Sequence, residues 1–267
     1  MKLTILGSGT SVPHPQRAAS AYMLEVDNKA ILLDAGADAA HRMAKEGLDW
    51  AGLDAIWISH FHLDHVGGLA PLLFGTKYAP QTQARRKPLV IFGPRGIIEL
   101  LQAFDEANSY ELLKQPFPVE VREVEPGKEF EIVTNLRART LSTLHTPESL
   151  AIRLTDTNNL SFVYTSDTGY TGTLAPFAHG AELLLAECSF RQIKPVETHL
   201  NLAEAMQVAH AAEPARVVLT HLYPEWDGVD IAAEAGKLWP GETVPAADGL
   251  RLEIIEQESE IRRPETE

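Results

Sequence analysis

Short apolar blocks, many of them alternating with polar residues, are punctuated along the chain by glycine, proline and asparagine. On that pattern Lys2–Leu6, Ser20–Val26 and Ala30–Leu33 predict strands, the last two joined by a hairpin turn at Asp27-Asn28-Lys29. Asp38–Glu46 has helical spacing with Gly47 as its stop, and Asp54–Ser59 reads as a buried strand. Gly67–Phe74 predicts a short helix, Gly75–Pro88 a polar loop and Leu89–Phe92 a strand. Gly93-Pro94 opens a helix to about Asn108, with Pro94 at its first position. The stretch from Phe117 to Thr165 is strand-rich: Val119–Val124, Glu129–Val133, Leu136–Leu141, Leu150–Leu154 and Leu160–Tyr164, with a turn at Asn158-Asn159. Strands at Glu182–Ala186, Ala215–Thr220 and Leu250–Ile255 then enclose helices at Leu202–Ala212 and Val229–Leu238. The charged tail Glu256–Glu267 is expected to fray.

Strands followed by helices occur twice, with no low-complexity linker and no short-period repeat. This favours an α/β protein of two similar halves, each a sheet with helices on one face, packed sheet to sheet as one domain over residues 1–267. A chain of 267 residues with 45% hydrophobic and 22% charged residues can bury a full core. A net charge of −14 disfavours a nucleic acid as the main partner, although bound divalent metals would offset it locally. The single cysteine, Cys188, excludes an intrachain disulfide and a Cys-rich zinc module, and it suits the cytoplasm. The apolar start is too short for a signal peptide, and no stretch is long enough to span a membrane.

The chemistry concentrates in His60-Phe61-His62-Leu63-Asp64-His65, directly after a predicted strand. Three imidazoles and a carboxylate so close together would desolvate and repel one another without a metal, whereas with zinc they are ordinary ligands. His145, His199, His221 and Asp167 also stand just past predicted strands or in loops, where layered α/β folds build their sites.

This ordered set resembles the metallo-β-lactamase fold superfamily over almost the whole chain: Gly7-Ser8-Gly9, Asp34, the His60–His65 run, His145, Asp167 and His221. Within it the pattern is most similar to the RNase Z and phosphodiesterase branch, through the loop ending in Arg17, Phe92-Gly93-Pro94 before a helix, and the spacing of Glu187, His199 and His221. The resemblance implies a four-layer αββα sandwich and two zinc ions, with manganese or iron as substitutes. His60, His62 and His145 would hold one ion, Asp64, His65 and His221 the other, and Asp167 would bridge them. It implies hydrolysis of a phosphodiester by metal-activated hydroxide. His199 would be the general acid, oriented by Glu187, Asp64 would orient the nucleophile, and Asp34 would accept a hydrogen bond near the His run. Glu187 reads equally well as a buried charge beside any basic neighbour.

Two departures bear on the substrate. No long tRNA-gripping arm fits between His145 and Asp167, and Leu222-Tyr223-Pro224-Glu225-Trp226 follows His221. Both favour a small or cyclic phosphodiester over pre-tRNA, with Arg17, Tyr223 and Trp226 as candidate substrate contacts. The alternatives are an RNase Z-type endonuclease, a lactone or thioester hydrolase, and a non-catalytic metal-binding accessory protein of cofactor biosynthesis. The resemblance also implies a homodimer. His14, His41, His179 and His210 read as structural or solvated, Arg85-Arg86-Lys87 as a solvated loop, and Cys188 as a small core residue.

Overall fold

The computed structural model describes residues 1–256, so the tail predicted to fray from Glu256 lies, beyond that residue, outside the described residues. The first half runs β1 (Lys2–Gly7), β2 (Ala21–Val26), β3 (Lys29–Leu33), α1 (Ala39–Lys45), β4 (Ala55–Trp57), α2 (Leu63–Val66), α3 (Leu69–Tyr78), α4 (Pro80–Gln83), β5 (Leu89–Pro94), α5 (Ile97–Asn108) and β6 (Val119–Val124). The second runs β7 (Glu129–Val133), β8 (Leu136–Ser142), β9 (Leu150–Asp156), β10 (Ser161–Tyr164), α6 (Leu174–Ala178), β11 (Leu183–Glu187), α7 (Leu202–Ala212), β12 (Arg216–Thr220), α8 (Ile231–Gly236) and β13 (Glu242–Pro245). A last strand, β14 (Arg251–Glu253), returns to the first sheet.

Among the described residues the strands form two seven-stranded sheets, ordered β14-β1-β2-β3-β4-β5-β6 and β7-β8-β9-β10-β11-β12-β13. Each begins with antiparallel pairs and ends with parallel ones: β3 through β6 in the first, β10 through β13 in the second. Successive side chains point to opposite faces of a strand, so the apolar runs serve two cores at once. On β3, Ile31 and Leu33 enter the core between the sheets, while Leu32 meets α1, α3 and α5. On β11, Leu183 and Leu185 enter the same central core, while Leu184 and Ala186 meet α6, α7 and α8. The result is the expected four-layer αββα sandwich. No helix among the described residues is long and apolar enough to cross a membrane.

Two local expectations fail. Pro94 does not open a helix: Gly93-Pro94 continues β5 against Glu123-Val124 of β6, and the chain turns at Gly96, at φ +103°, before α5. Parallel pairing thus outweighs the preference of proline for a first helical turn, and a strand end tolerates its missing N–H. The polar loop predicted over Gly75–Pro88 is mostly helical, through the end of α3 and α4. Arg85 there is not simply solvated. Its guanidinium donates to the carbonyls of Ala51 and Leu53 at 2.6 Å each and to Lys87 O at 2.7 Å, while lying over the Phe117 ring. A rigid fork of five donors suits such a carbonyl cluster.

The start of α7 carries the loop that presents His199. Asn201 accepts from the Glu204 backbone N–H, and the Glu204 side chain accepts from the Asn201 N–H, a complete capping box. Asn201→Ala should therefore cost about 1 kcal/mol and lower the thermal midpoint by about 2–4 °C. Differential scanning calorimetry reads this directly, and an unchanged midpoint would show that the cap contributes nothing.

Candidate metal centre

The candidate ligands and the carboxylates that support them stand beyond the carboxyl ends of strands and in the loops beside them. Asp34 follows β3, His60 follows β4, Asp167 follows β10, Glu187 ends β11 and His221 follows β12. His145 sits between β8 and β9, while His62, Asp64 and His65 lie at the start of α2 or within it. Asp34, Ser166 and His221 have φ of +56°, +55° and +57°. That left-handed backbone costs on the order of 1–2 kcal/mol for a residue other than glycine, and here it turns the chain sharply off each strand at the site.

Asp167 Oδ2 is the geometric centre. It lies 3.3 Å from His65 Nε2, 3.3 Å from His221 Nε2, 3.7 Å from His145 Nε2 and 3.8 Å from His60 Nε2. Asp64 Oδ2 lies 3.3 Å from His221 Nε2 and 3.8 Å from His65 Nε2, and His62 Nδ1 is 2.9 Å from His145 Nε2. The residues thus gather as His60, His62, His145 and Asp167 on one side and Asp64, His65 and His221 on the other, with Asp167 between.

Hydrogen bonds from behind settle which imidazole nitrogen faces inward. His65 Nδ1–H donates to Asp34 Oδ2 at 2.7 Å, and His145 Nδ1–H donates to Thr198 O at 3.1 Å. Ser59 Oγ donates to Asp34 Oδ2 and so accepts from His60 Nδ1–H at 3.0 Å. Ser189 Oγ donates to Glu187 Oε2 and so accepts from His221 Nδ1–H at 2.9 Å. Four Nε2 atoms are left pointing at one spot, the orientation that metal-binding histidines require.

The residues fit a metal. His60 Nε2, His65 Nε2 and Asp167 Oδ1 are buried with no hydrogen-bond partner, an arrangement a fold keeps at a cost unless something else satisfies those atoms. Imidazole nitrogens with carboxylate oxygens form a donor set that suits zinc and also manganese or iron. Burial, with the nearby charge of His65, drives the His60 imidazole well below its ordinary pKa, into the neutral form that can bind metal. Burial would raise the Asp167 carboxyl, but His221 and His65 outweigh it and hold the group ionised.

The other sequence candidates fall out differently. Glu187, fully buried, accepts from His199 Nδ1–H at 2.9 Å, from the Thr168 N–H at 2.7 Å and from Ser189, so its basic neighbour is His199. His199 packs edge-on to His145 and parallel to His221. Tyr223 is half-buried, stacked on Phe190 beside His221. Arg17 donates to Asp227 at 2.7 Å and lines a pocket that Asp64 also lines. Trp226 is corrected: it is 1% exposed and its Nε1–H donates to Cys188 O, so the indole braces the β11 exit rather than meeting a substrate. Cys188 is buried as expected. Sequence reasoning missed Ser59, Tyr164 and Ser189. Ser59 directly precedes His60 and Ser189 lies two residues past Glu187, but a serine so placed is too common to single out.

Metal that binds only the folded protein stabilises it, by about 4 kcal/mol at a thousandfold excess over its dissociation constant. Stripping with a chelator should lower the thermal midpoint and zinc should restore it. Asp167→Ala should lose most of that recovery in the same melting experiment, and a recovery as large as the parent's would show that this carboxylate holds no metal.

The family model described as "Anti-Pycsar protein Apyc1" matches residues 1–238. A ribonuclease Z of Mycobacterium sp. (strain KMS) is 31% identical over 277 residues, covering 95% of this chain and 96% of that protein. The probable metallo-hydrolase YhfI of Bacillus subtilis (strain 168) is 28% identical over 253 residues, covering 94% and 98%. The crystal structure of YhfI, a metallo-β-lactamase fold protein, superposes with a TM-score of 0.80 at 26% identity over 94% of this chain and 98% of that one. Human tRNase Z, short form, superposes with a TM-score of 0.79 at 22% identity over 96% and 100%. The chain therefore belongs to the family described as Anti-Pycsar protein Apyc1 and is a metal-dependent hydrolase of the metallo-β-lactamase fold.

Proposed function

We propose that this hydrolase cleaves a small or cyclic phosphodiester at a two-metal centre, zinc being the metal its ligands suit best. The observation that carries the reading is Asp167 Oδ2 standing between two ligand groups, with a Glu187-bound His199 at their edge. Bound metal supplies Lewis acidity at the phosphoryl oxygens and a water acidic enough to ionise near neutrality.

The chain's own groups supply the rest. His199 holds a proton for the leaving alkoxide at Nε2, because its Nδ1–H is committed to Glu187. Burial alone would lower its pKa, but the hydrogen bond and charge of Glu187 outweigh burial and hold the imidazole above its ordinary value. Glu187 cannot swing away, since it also accepts from the Leu200 N–H and from Ser189. Asp64 turns Oδ2 toward His65 and His221, leaving Oδ1 to orient the attacking water.

The rest of the substrate has a place beside Asp64. A pocket of about 440 Å³ is lined there by Ser11, Val12, Pro13, Arg17 and Leu63. Asp227 already matches the charge of Arg17, whose Nη1 is buried and without a partner, so this donor suits a neutral acceptor on the ester group rather than a second anion. Tyr223, braced on Phe190, stands beside His221. A compact diester fits this space. Between His145 and Asp167 the chain makes only the β9–β10 hairpin, with no arm to grip a folded RNA. An RNase Z-type endonuclease is the second reading, favoured by the 31% identity to a protein of that name.

Metal-loaded protein should turn over cyclic nucleotides and bis(p-nitrophenyl) phosphate but not a lactone. Cleavage of pre-tRNA alone would favour the second reading, and activity confined to the lactone would overturn both. His199→Ala should keep its metal and lose about 10²–10⁴ in kcat on a cyclic nucleotide, whose alkoxide needs a proton. It should lose far less on bis(p-nitrophenyl) phosphate, whose nitrophenolate leaves unaided. Equal losses on the two substrates would remove His199 from the acid role. Arg17→Met should raise KM for the cyclic nucleotide with little change in kcat, and an unchanged KM would move the ester group elsewhere.

A further inference from the structure

Beneath the metal centre two tyrosines from opposite sheets reach across the sandwich in opposite directions. Tyr164 ends β10 in the second sheet, and its hydroxyl donates to Asp34 Oδ2, beyond β3 in the first, at 2.7 Å. Tyr22 of β2 in the first sheet shares a 3.0 Å hydrogen bond with Thr220 Oγ1, at the end of β12 in the second. The rings pack edge to face with centroids 5.1 Å apart, and both side chains are fully buried. Each therefore grips the other sheet next to a residue of the site: Asp34 orients His65, and Thr220 directly precedes His221.

The two contacts differ in what hangs on them. Thr220 is also held by its backbone, paired with Glu187 in the parallel β11–β12 ladder. Asp34 lies past the end of its strand in the left-handed conformation, and its side chain organises the neighbourhood. Oδ1 accepts from the Ser59 N–H at 2.7 Å. Oδ2 accepts from Ser59 Oγ at 2.8 Å, from His65 Nδ1–H at 2.7 Å and from Tyr164. Through Ser59 the same carboxylate reaches His60 Nδ1. Tyr164 is the only one of these donors from the opposite sheet, and three residues after it the same chain segment delivers Asp167.

We infer that Tyr164 is a positioning residue for the metal centre, its phenol pinning Asp34 so that His60 and His65 of one sheet meet Asp167 of the other at bonding range. Four hydrogen bonds on a carboxylate buried between two sheets leave it one rotamer, and that rotamer aims both imidazoles. Without the phenol, Asp34 keeps its partners from its own sheet but loses its link to the strand that carries Asp167. The two halves of the ligand set then lose their common reference. This inference rests on the metal-centre reading but not on the identity of the substrate.

The test is zinc affinity, measured by competition with a chromophoric chelator, alongside melting of the metal-free protein. Tyr164→Phe keeps the ring and removes only the hydroxyl. It should weaken zinc binding about 10–100-fold, the usual effect of losing a partner behind a ligand, while the metal-free midpoint stays close to the parent's. Ser59→Ala, which strips another donor from the same oxygen, should weaken binding to a similar degree and keeps the test decisive if Tyr164→Phe does not fold. Tyr22→Phe should weaken it less, because strand pairing still holds Thr220. Parent-like zinc affinity in Tyr164→Phe would overturn the inference, as would a loss confined to the metal-free midpoint. A protein that binds zinc tightly yet cleaves no phosphodiester would instead count against the proposed function alone.

Discussion

One carboxylate oxygen, Asp167 Oδ2, lies within 3.8 Å of four imidazole nitrogens contributed by both sheets. Such a cluster is unfavourable in a buried, low-dielectric place unless every group has a partner on its other side. Much of the architecture around it supplies those partners. Ligands leave the carboxyl ends of central strands, where the parallel pairs of each sheet are covered on both faces and rigid. Left-handed residues at Asp34, Ser166 and His221 turn them into the gap between the sheets.

Two further carboxylates serve the centre from behind, one on each half of the sandwich. Asp34 aims His65 directly and His60 through Ser59. Glu187 aims His199 directly and His221 through Ser189. In both, a serine hydroxyl extends the reach of a carboxylate to a second histidine, so one buried anion sets two tautomers. This halves the number of charges the core must bury. On the second half, His221 and His199 share a single orienting carboxylate, Glu187.

The loop after β12 divides between the edge of the site and the buried core within a few residues. Tyr223 stacks on Phe190 at the edge of the site. Trp226, three residues on, is buried against the β11 exit, where its N–H holds the Cys188 carbonyl beside Glu187. Asp227 reaches back to His14 and Arg17, tying this loop to the one after β1 and shaping the pocket beside Asp64.

The layered fold was legible because it depends on local pattern. Apolar runs flanked by glycine, proline and asparagine mark strands, and Asp27-Asn28 and Asn159 are left-handed as a hairpin turn demands. The clustering of these side chains was legible because a dense histidine run has few stable uses without a metal, and Asp34 was legible as a hydrogen-bond acceptor beside it. Other features lay beyond local pattern. Pro94 and the Gly75–Pro88 segment followed their tertiary neighbours rather than their propensities. Trp226 looked like a substrate contact because aromatic character does not reveal which way a side chain faces. Tyr164 and Ser189 carried no signal, since a hydroxyl acquires its role only when folding brings it to a carboxylate from 130 residues away or from the adjacent turn. The sequence by itself determined which groups could bind metal and on which strands they ride. Only the packing of one sheet on the other decided which nitrogen of each histidine faces inward, because that choice belongs to the hydrogen-bond partner behind the ring.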